Sequence, residues 1–388
     1  MSPLLPTRIG PYAIEEGLDH GGTSAVLLGR HRRLDRAVAI KLRMRGQSED
    51  EVVLAERFRL GAILQADLDH ANIARVHDYI EAATHQALVL EFLAGGSLET
   101  RLTEGPMGLA ESLSIGVATG LALEYSHGRG VVHRDIKPGN LLLTGDGSPW
   151  SVRVNDFGVA HAQSLSRTLT RPGANVGTIW YMPPEQFDGG TAHPLMDVYS
   201  LGATLYEMLC GELPFEAVET AEIFRRFLDR IPPPPLRNRN PAVPAPIAAV
   251  IEQALALDAS ARPPSAGVFA VVLQALAEHA GLVVDDAGQQ AVFETPSMAE
   301  MRALIHRMPG PEGRTIAAAL SAFDSRTGPR ALQITQALPA VEDLGSTVGT
   351  GLLSAMVADG QVAEAELSDD DLEDDNDHTL VMMPFEDP

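Results

Sequence analysis

Lysine is almost absent from this 388-residue chain. Of its 29 basic residues only Lys41 and Lys137 are lysines, and the other 27 are arginines. Cysteine occurs once, at Cys210 in "YEMLCGELPF". One cysteine excludes an internal disulfide framework and suits a reducing cytoplasm, which is the expected location. In that setting Cys210 reads as a small buried residue. The twelve histidines are scattered, with no Cys/His pairs at zinc spacing. Long apolar runs are missing too. "VFAVVLQALA" (268–277) falls well short of the ~20 residues a membrane-spanning helix needs. "MSPLLPTRIG" lacks a basic stretch leading into an apolar one, so neither a signal peptide nor a membrane partner is expected. Positive charge is in deficit: the net charge is −23, and 20 acidic residues face 5 basic ones from position 281 onward. Phosphate backbones would be repelled, so no nucleic-acid partner is expected.

What is present is enough apolar material, 45% of residues, for a sizeable core. Residues 10–45 alternate apolar and polar side chains around a Gly-rich turn, "EEGLDHGGTSAVLLGRH" leading to "RAVAIKLRM", and predict strands. "DEVVLAERFRLGAILQADL" (50–68) predicts an amphipathic helix. "HQALVLEFLAGGSL" (85–98) reads as a strand stopped by Gly-Gly. From about 108 to 280 the pattern is mostly helical, interrupted by "IPPPPLRNRNPAVPAP" (231–246), which cannot be a helix interior. Short helices are plausible at 297–308 and 312–324. "AEAELSDDDLEDDND" (363–377) holds nine carboxylates and no basic residue, so self-repulsion should keep it extended. No internal repeat is found.

A small strand-rich lobe joined by a short hinge to a larger helical lobe suits a nucleotide held between them. "RAVAIK" ends in Lys41, "HRDIKPGN" sets Asp135, Lys137 and Asn140 on one loop, and "VNDFG" sets Asp156 after another strand. Two ammoniums for phosphate oxygens, a carboxylate beside a nucleophile, and an Asn plus an Asp for a divalent ion are what phosphoryl transfer needs. With these motifs, and with "HANIARVHDY", "LVLEFLAGGSL", "GTIWYMPPE", "DVYSLG" and "ARPPSAG" in order, residues 10–280 resemble the bacterial eukaryotic-like (Hanks-type) Ser/Thr protein kinases. The two lysines fall on the two positions where that family uses lysine. Random placement among 29 basic positions would do this in about one deal in 400, so the difference between a compact ammonium and a planar guanidinium matters there.

The resemblance implies an α+β, bilobal protein-kinase fold: a small β-rich N-lobe (about 10–92) and a larger helical C-lobe (about 96–280). It implies a kinase domain over 10–280; beyond it, composition and charge read as a weakly helical region of unknown role (281–362) and an acidic, largely disordered tail (363–388). It further implies ATP with Mg²⁺, or Mn²⁺ as an alternative, and protein substrates bearing Ser or Thr. Lys41 would hold the α and β phosphates and Lys137 would touch the γ-phosphoryl. Asp135 would orient the attacking hydroxyl and accept its proton. Asn140 and Asp156 would ligate the metal. Leu18, Gly21, Gly22, Val26 and Ala39 would line the nucleotide site. Leu90 would guard its back, and Glu91 and Leu93 would offer backbone groups to adenine. Thr178 would hydrogen-bond Asp135 and Lys137, and with Lys137 two residues after Asp135 it favours Ser/Thr over Tyr as acceptor. Glu185 and Arg262 would form a structural ion pair, and Asp197 would brace the catalytic loop. Arg134 would pair with a phosphate on the segment 156–185, where "SLSRTLTRPG" offers Ser164, Ser166, Thr168 and Thr170. Thr168 and Thr170 are the favoured autophosphorylation sites.

Two departures stand out. "DHGGTSAV" puts Asp19 and Ser24 where the family's glycine-rich loop has its first and third glycines. The helix that should supply a Glu to Lys41 has Gly61 in register. Glu56 lies five residues earlier, about 140° off the same face. Two readings follow: an active Ser/Thr kinase of low intrinsic rate, or a pseudokinase scaffold that binds partners without efficient catalysis. Retention of both lysines in an Arg-dominated chain favours the first. The tail "DDNDHTLVMMPFEDP" places Met382 three residues after Thr379, a pattern that phosphothreonine-reading (forkhead-associated) modules recognise. A solvated acidic tail is the plainer alternative.

Overall fold

Short strands with alternating side chains build the first lobe of the computed structural model, which describes residues 6–20, 24–46, 48–145, 150–157, 176–187, 189–215, 220–282 and 311–327. Strands β1 (Arg8–Ile9), β2 (Tyr12–His20), β3 (Ser24–His31), β4 (Arg36–Met44), β5 (Val76–Glu81) and β6 (His85–Glu91) form one antiparallel sheet in the order β1-β2-β3-β4-β6-β5. Along β4, Val38, Ile40 and Leu42 bury one face, while Ala39 and Lys41 alternate onto the other. Lys41 lies opposite Val26 of β3 and Leu88 of β6, well inside the sheet. The β2–β3 register slips between Gly17 and Asp19, which leaves Leu18 as the extra residue of a bulge.

Helix α1 (Glu49–Ala66) covers the sheet and coincides with the stretch predicted as helical. Ser48 caps it by accepting from the Glu51 N–H. Arg43, 4% exposed on β4, binds the Glu51 carboxylate and donates to the Glu51 carbonyl at 3.3 Å. Gln86 Nε2 donates to the Ala55 carbonyl at 3.2 Å. The inward face of α1 carries Ala62 and Phe58, packed on Leu88 and Leu90 of β6.

The linker after β6 is drawn tightly against the second lobe. A Cβ on Gly95 would lie 2.5 Å from the Leu143 carbonyl oxygen, so only glycine fits. The Leu143 N–H donates to the Gly96 carbonyl at 2.8 Å. Beyond it come α2 (Leu98–Leu102), α3 (Leu109–His127), the hairpin β7 (Leu141–Thr144) and β8 (Ser151–Val154), α4 (Pro194–Cys210), α5 (Thr220–Leu228), α6 (Ala245–Ala254) and α7 (Ala266–His279). The core of this lobe is built largely from α3, α4, α6 and α7. A Cβ on Gly120 of α3 would sit 2.9 Å from the Ala270 Cβ, which is how closely α3 and α7 approach. Within the proline-rich connector a single helical turn, Leu236–Arg239, does form. Pro235 stands at its N-cap and no Pro falls inside it, so no ladder bond is lost. Arg262, fully buried, pairs with both Glu185 oxygens at 2.6 and 2.9 Å and lies over the Tyr199 ring, as expected for the structural ion pair.

A further helix, α8 (Pro311–Thr327), forms where the periodicity placed one at 312–324. Ile316, Ala319 and Leu320 are buried and join the core made by α6 and α7. The compact unit accordingly runs from Thr7 to Gly328. The pattern at 297–308 and the acidic stretch 363–377 lie outside the described residues.

Ile316→Ala removes a fully buried side chain from this contact. It is expected to lower unfolding stability by about 2–4 kcal/mol in urea titrations. A change within ~0.5 kcal/mol, the range of surface substitutions, would mean that α8 is not docked.

Candidate active site

The site is assembled on the loop between α3 and β7. Asp197, fully buried at the start of α4, accepts from the backbone N–H of His133 (2.8 Å), the N–H of Arg134 (2.7 Å) and Nε2 of His127 (2.7 Å). Burial pushes the Asp197 carboxyl up, but the hydrogen bonds from His127 and from the Arg134 N–H outweigh it and leave the pKa below the ordinary value. These bonds hold Arg134 in the left-handed region, at φ 65°. That conformation persists only where surroundings over-determine it. The His133 ring continues the brace: Nε2 donates to the Asn155 carbonyl at 2.9 Å and Nδ1 accepts from the Asp135 N–H at 3.2 Å, which fixes its tautomer.

Asp135, Lys137 and Asn140 come together. Asn140 Nδ2 donates to the Asp135 carboxylate (2.9 Å) and carbonyl (2.7 Å), while Lys137 Nζ stands 3.1 Å from the same carboxylate. Both amide hydrogens of Asn140 point at Asp135, so its oxygen is the atom left to act as a ligand. Across the cleft, Lys41 Nζ meets Asp156 Oδ2 at 2.7 Å. Burial would raise the Asp156 carboxyl, but the charge and hydrogen bond of Lys41 hold it below its usual value. Asp156 is also left-handed, at φ 66°. The Asn155 N–H donates to the Asn140 carbonyl at 2.9 Å, which keeps the Asp156 segment beside the catalytic loop. The donor set, a carboxylate oxygen and an amide oxygen, fits a hard divalent cation completed by phosphate oxygens.

The remaining predicted residues are distributed as follows. Ala39 faces Leu90 across the β4–β6 pair, and Leu90 is buried. Val26 is half-buried on β3, whereas Leu18 is 43% exposed at its bulge. Glu91 is tied into the fold: its N–H donates to the Arg75 carbonyl and its carboxylate accepts from the Arg75 N–H. Leu93 lies in the linker after β6. Thr178 belongs to the 3₁₀ turn Val176–Tyr181, which Ser200 anchors by donating to the Tyr181 carbonyl at 2.8 Å. The Thr178 side chain, Gly21, Gly22, Ser164, Ser166, Thr168, Thr170 and Thr379 lie outside the described residues. Arg134 faces no hydrogen-bond acceptor at its Nε among the described residues, and burial lowers its pKa against the opposing charge of Asp197.

As the register implied, Lys41 has no carboxylate from α1 among the described residues. Gly61 is buried on the inward face, and Glu56 is taken up by Arg59 at 2.5 Å. The sequence reading missed two groups. Gln65 is 1% exposed and bonds the segment around Asp156. Asn72 is 2% exposed and donates to the Val152 carbonyl at 3.0 Å, behind β8. Gln65 lies four residues after Gly61, on the same helix face, and that spacing was the available signal.

Residues 12–274 match the protein kinase domain family. The chain belongs to the protein kinase family. It is 35% identical to the serine/threonine-protein kinase PknA of Mycobacterium tuberculosis over 283 residues, 71% of this chain and 64% of PknA. It is 36% identical to PrkC of Bacillus subtilis over 258 residues, 66% of this chain and 39% of PrkC. To PknB of Mycolicibacterium smegmatis it is 33% identical over 310 residues, 77% of this chain and 49% of PknB. The chain thus spans less than two thirds of the length of these curated relatives. A crystal structure of the PknI kinase domain of Mycobacterium tuberculosis, a double mutant, aligns with a TM-score of 0.55 at 23% identity, covering 71% of this chain and 98% of that one. That likeness speaks for the bilobal fold alone. Protein kinases use ATP and a divalent metal, the two ligands this cleft suits.

His70 supports the turn behind β8. Its Nδ1 accepts from the Asn72 N–H at 3.0 Å, and its ring packs on Tyr125. Burial, with the charges of Arg153 and Arg129, lowers its pKa to about 4. The folded state therefore favours neutral His70. Its contribution is complete above the unfolded pKa of ~6.5 and is lost as pH falls from there toward about 4. Between pH 7 and pH 5 the chain should lose about 2 kcal/mol more than His70→Gln, by unfolding titrations at the two pH values.

Proposed function

We propose that this chain transfers the γ-phosphoryl group of ATP to serine and threonine hydroxyls of proteins. The observation that carries the reading is one cleft holding two charged sets: Lys41 on Asp156 at 2.7 Å, and Asp135 held by Asn140 and Lys137. In this reading Asp135 is the residue that aims the hydroxyl. Its carboxylate accepts the hydroxyl proton as the oxygen attacks phosphorus, and the bond to the ADP oxygen breaks. Lys137 stays beside the carboxylate and neutralises charge on the moving phosphoryl group. Lys41 releases Asp156 to grip the α and β phosphates. Asn140 and Asp156 would hold Mg²⁺, or Mn²⁺ in its place, which when bound supplies positive charge to the phosphate oxygens. Val26, Ala39 and Leu90 would wall the adenine, with Leu18 and the glycines 21 and 22 closing over it. Glu91 and Leu93 would meet its edge through backbone groups. Thr178 would bond Asp135 and Lys137 and keep the acceptor to Ser or Thr.

The pseudokinase reading rested on Gly61 and Asp19. In the nucleotide-free cleft Asp156 gives Lys41 a carboxylate partner that does not depend on α1, which holds the ammonium where the phosphates would arrive. We further propose autophosphorylation at Thr168 and Thr170, answered by Arg134, and recruitment of a forkhead-associated module by phosphorylated Thr379. A cytoplasmic setting is proposed on the strength of the single cysteine.

Phosphate transfer from labelled ATP to a generic protein acceptor should fall about 10²–10⁴-fold in Asp135→Asn, the usual loss for a missing general base. Equal incorporation by the two proteins would overturn the reading. Mass spectrometry after incubation with Mg-ATP should find phosphate on Thr168, Thr170 and Thr379 of the wild type and on none of them in Asp135→Asn. An unmodified Thr379 would remove the basis for a tail-bound partner.

A further inference from the structure

Gln65 sits in the last turn of α1 with its side chain turned away from solvent, and every hydrogen-bonding group of its carboxamide is engaged. Nε2 donates to the Ala74 carbonyl at 2.9 Å and to Asn155 Oδ1 at 3.2 Å, and Oε1 accepts from the Phe157 N–H at 3.4 Å. Asn155 and Phe157 are the two neighbours of Asp156, whose left-handed backbone needs outside support. The same segment is held from the opposite side by His133 and Asn140 through the Asn155 backbone. Residue 156 is thus gripped on both flanks, and one of the two grips comes from α1.

The side-chain hydrogen bonds between α1 and the sheet lie toward its N-terminal half, where Arg43 binds Glu51 and Gln86 binds the Ala55 carbonyl. The position from which a carboxylate would reach Lys41 is Gly61, one turn before Gln65. Lys41 bonds Asp156 instead. Resting on the kinase reading above, we propose that Gln65 is a positioning residue for phosphoryl transfer: its carboxamide couples α1 to the Asp156 segment, the task an α1 carboxylate on Lys41 would otherwise perform. An amide suits the place because it donates twice and accepts once. A charged carboxylate there would confront two acceptors, and an apolar side chain would leave two carbonyl oxygens and one N–H bare.

Two variants test this. Gln65→Met keeps an unbranched side chain of similar length and removes all three bonds. In the nucleotide-free protein, amide exchange of a peptide spanning 154–158 should quicken about tenfold, while a control peptide in α7 stays unchanged. The Mg²⁺ concentration for half-maximal transfer should rise about 10–100-fold, the usual effect of losing a group that orients a ligand. Unchanged exchange at Phe157 overturns the proposal whether or not the protein transfers phosphate. Faster exchange with unaltered Mg²⁺ dependence and turnover overturns it as well, leaving a structural tie only. Gln65→Glu should transfer poorly at pH 8 and regain activity relative to wild type toward pH 6, because the protonated acid can donate again. A flat ratio across that range counts against the proposal, and this profile carries the test if Gln65→Met fails to fold. Wild type that matches Asp135→Asn in transfer sinks the kinase reading instead, and the exchange measurement then decides Gln65 alone.

Discussion

Asp197 carries a full negative charge at a place water does not reach, and such a charge survives only where donors surround it. Its donors are the N–H groups of His133 and Arg134 and the ring of His127. Two of the three belong to the catalytic loop, so the need to satisfy a buried carboxylate and the shape of that loop are one constraint. From it follow the positive φ of Arg134, the orientation of the His133 ring, and the direction in which Asp135 faces the cleft. The second left-handed residue, Asp156, is reached through His133 and the Asn155 carbonyl. Backbone strain at both positions is held by hydrogen bonds made one residue away.

The two lobes meet through side chains of opposite character. Lys41 and Asp156 form an ion pair across the cleft, and Gln65 adds neutral bonds from α1 to the chain on either side of Asp156. Charge gives the first link its strength, and geometry gives the second its direction. An ammonium on a flexible stem can leave one oxygen for another, whereas an arginine fork prefers to hold a carboxylate by two bonds. Arg262 on Glu185 shows the second behaviour in the same molecule, in a place where nothing needs to move. That contrast accounts for a chain that uses arginine almost everywhere and lysine at two positions.

Much of the site was legible because its chemistry demands particular residue types at fixed spacings. Lys41, Asp135, Lys137, Asn140 and Asp156 stand in motifs that have few other uses, and the structure gathers them into one cleft. The empty register at Gly61 was legible by counting. Gln65 had only its spacing from Gly61 to mark it as inward-facing; its partners could not be read, because its bonds go to residues 74, 155 and 157, distant in sequence. The Lys41–Asp156 bond was hidden for a similar reason: each residue was read against an expected ligand rather than against the other. Helix α8 was visible as a pattern, but its docking was not. Its buried face is narrow, and a contact of Ile316, Ala319 and Leu320 with α6 and α7 leaves little trace in composition. The turn at Leu236–Arg239 shows the limit of reading proline as a breaker, because a proline at the entrance of a turn begins it.

The ion pair between Lys41 and Asp156 makes the cleft its own counter-ion. An anion arriving alone could draw the ammonium away only by leaving the carboxylate bare, and a cation arriving alone would do the reverse. A neutralised pair of ligands, anion and cation together, lets both protein charges change partners at once. The cleft is thereby set to admit the two jointly, with each raising the affinity for the other.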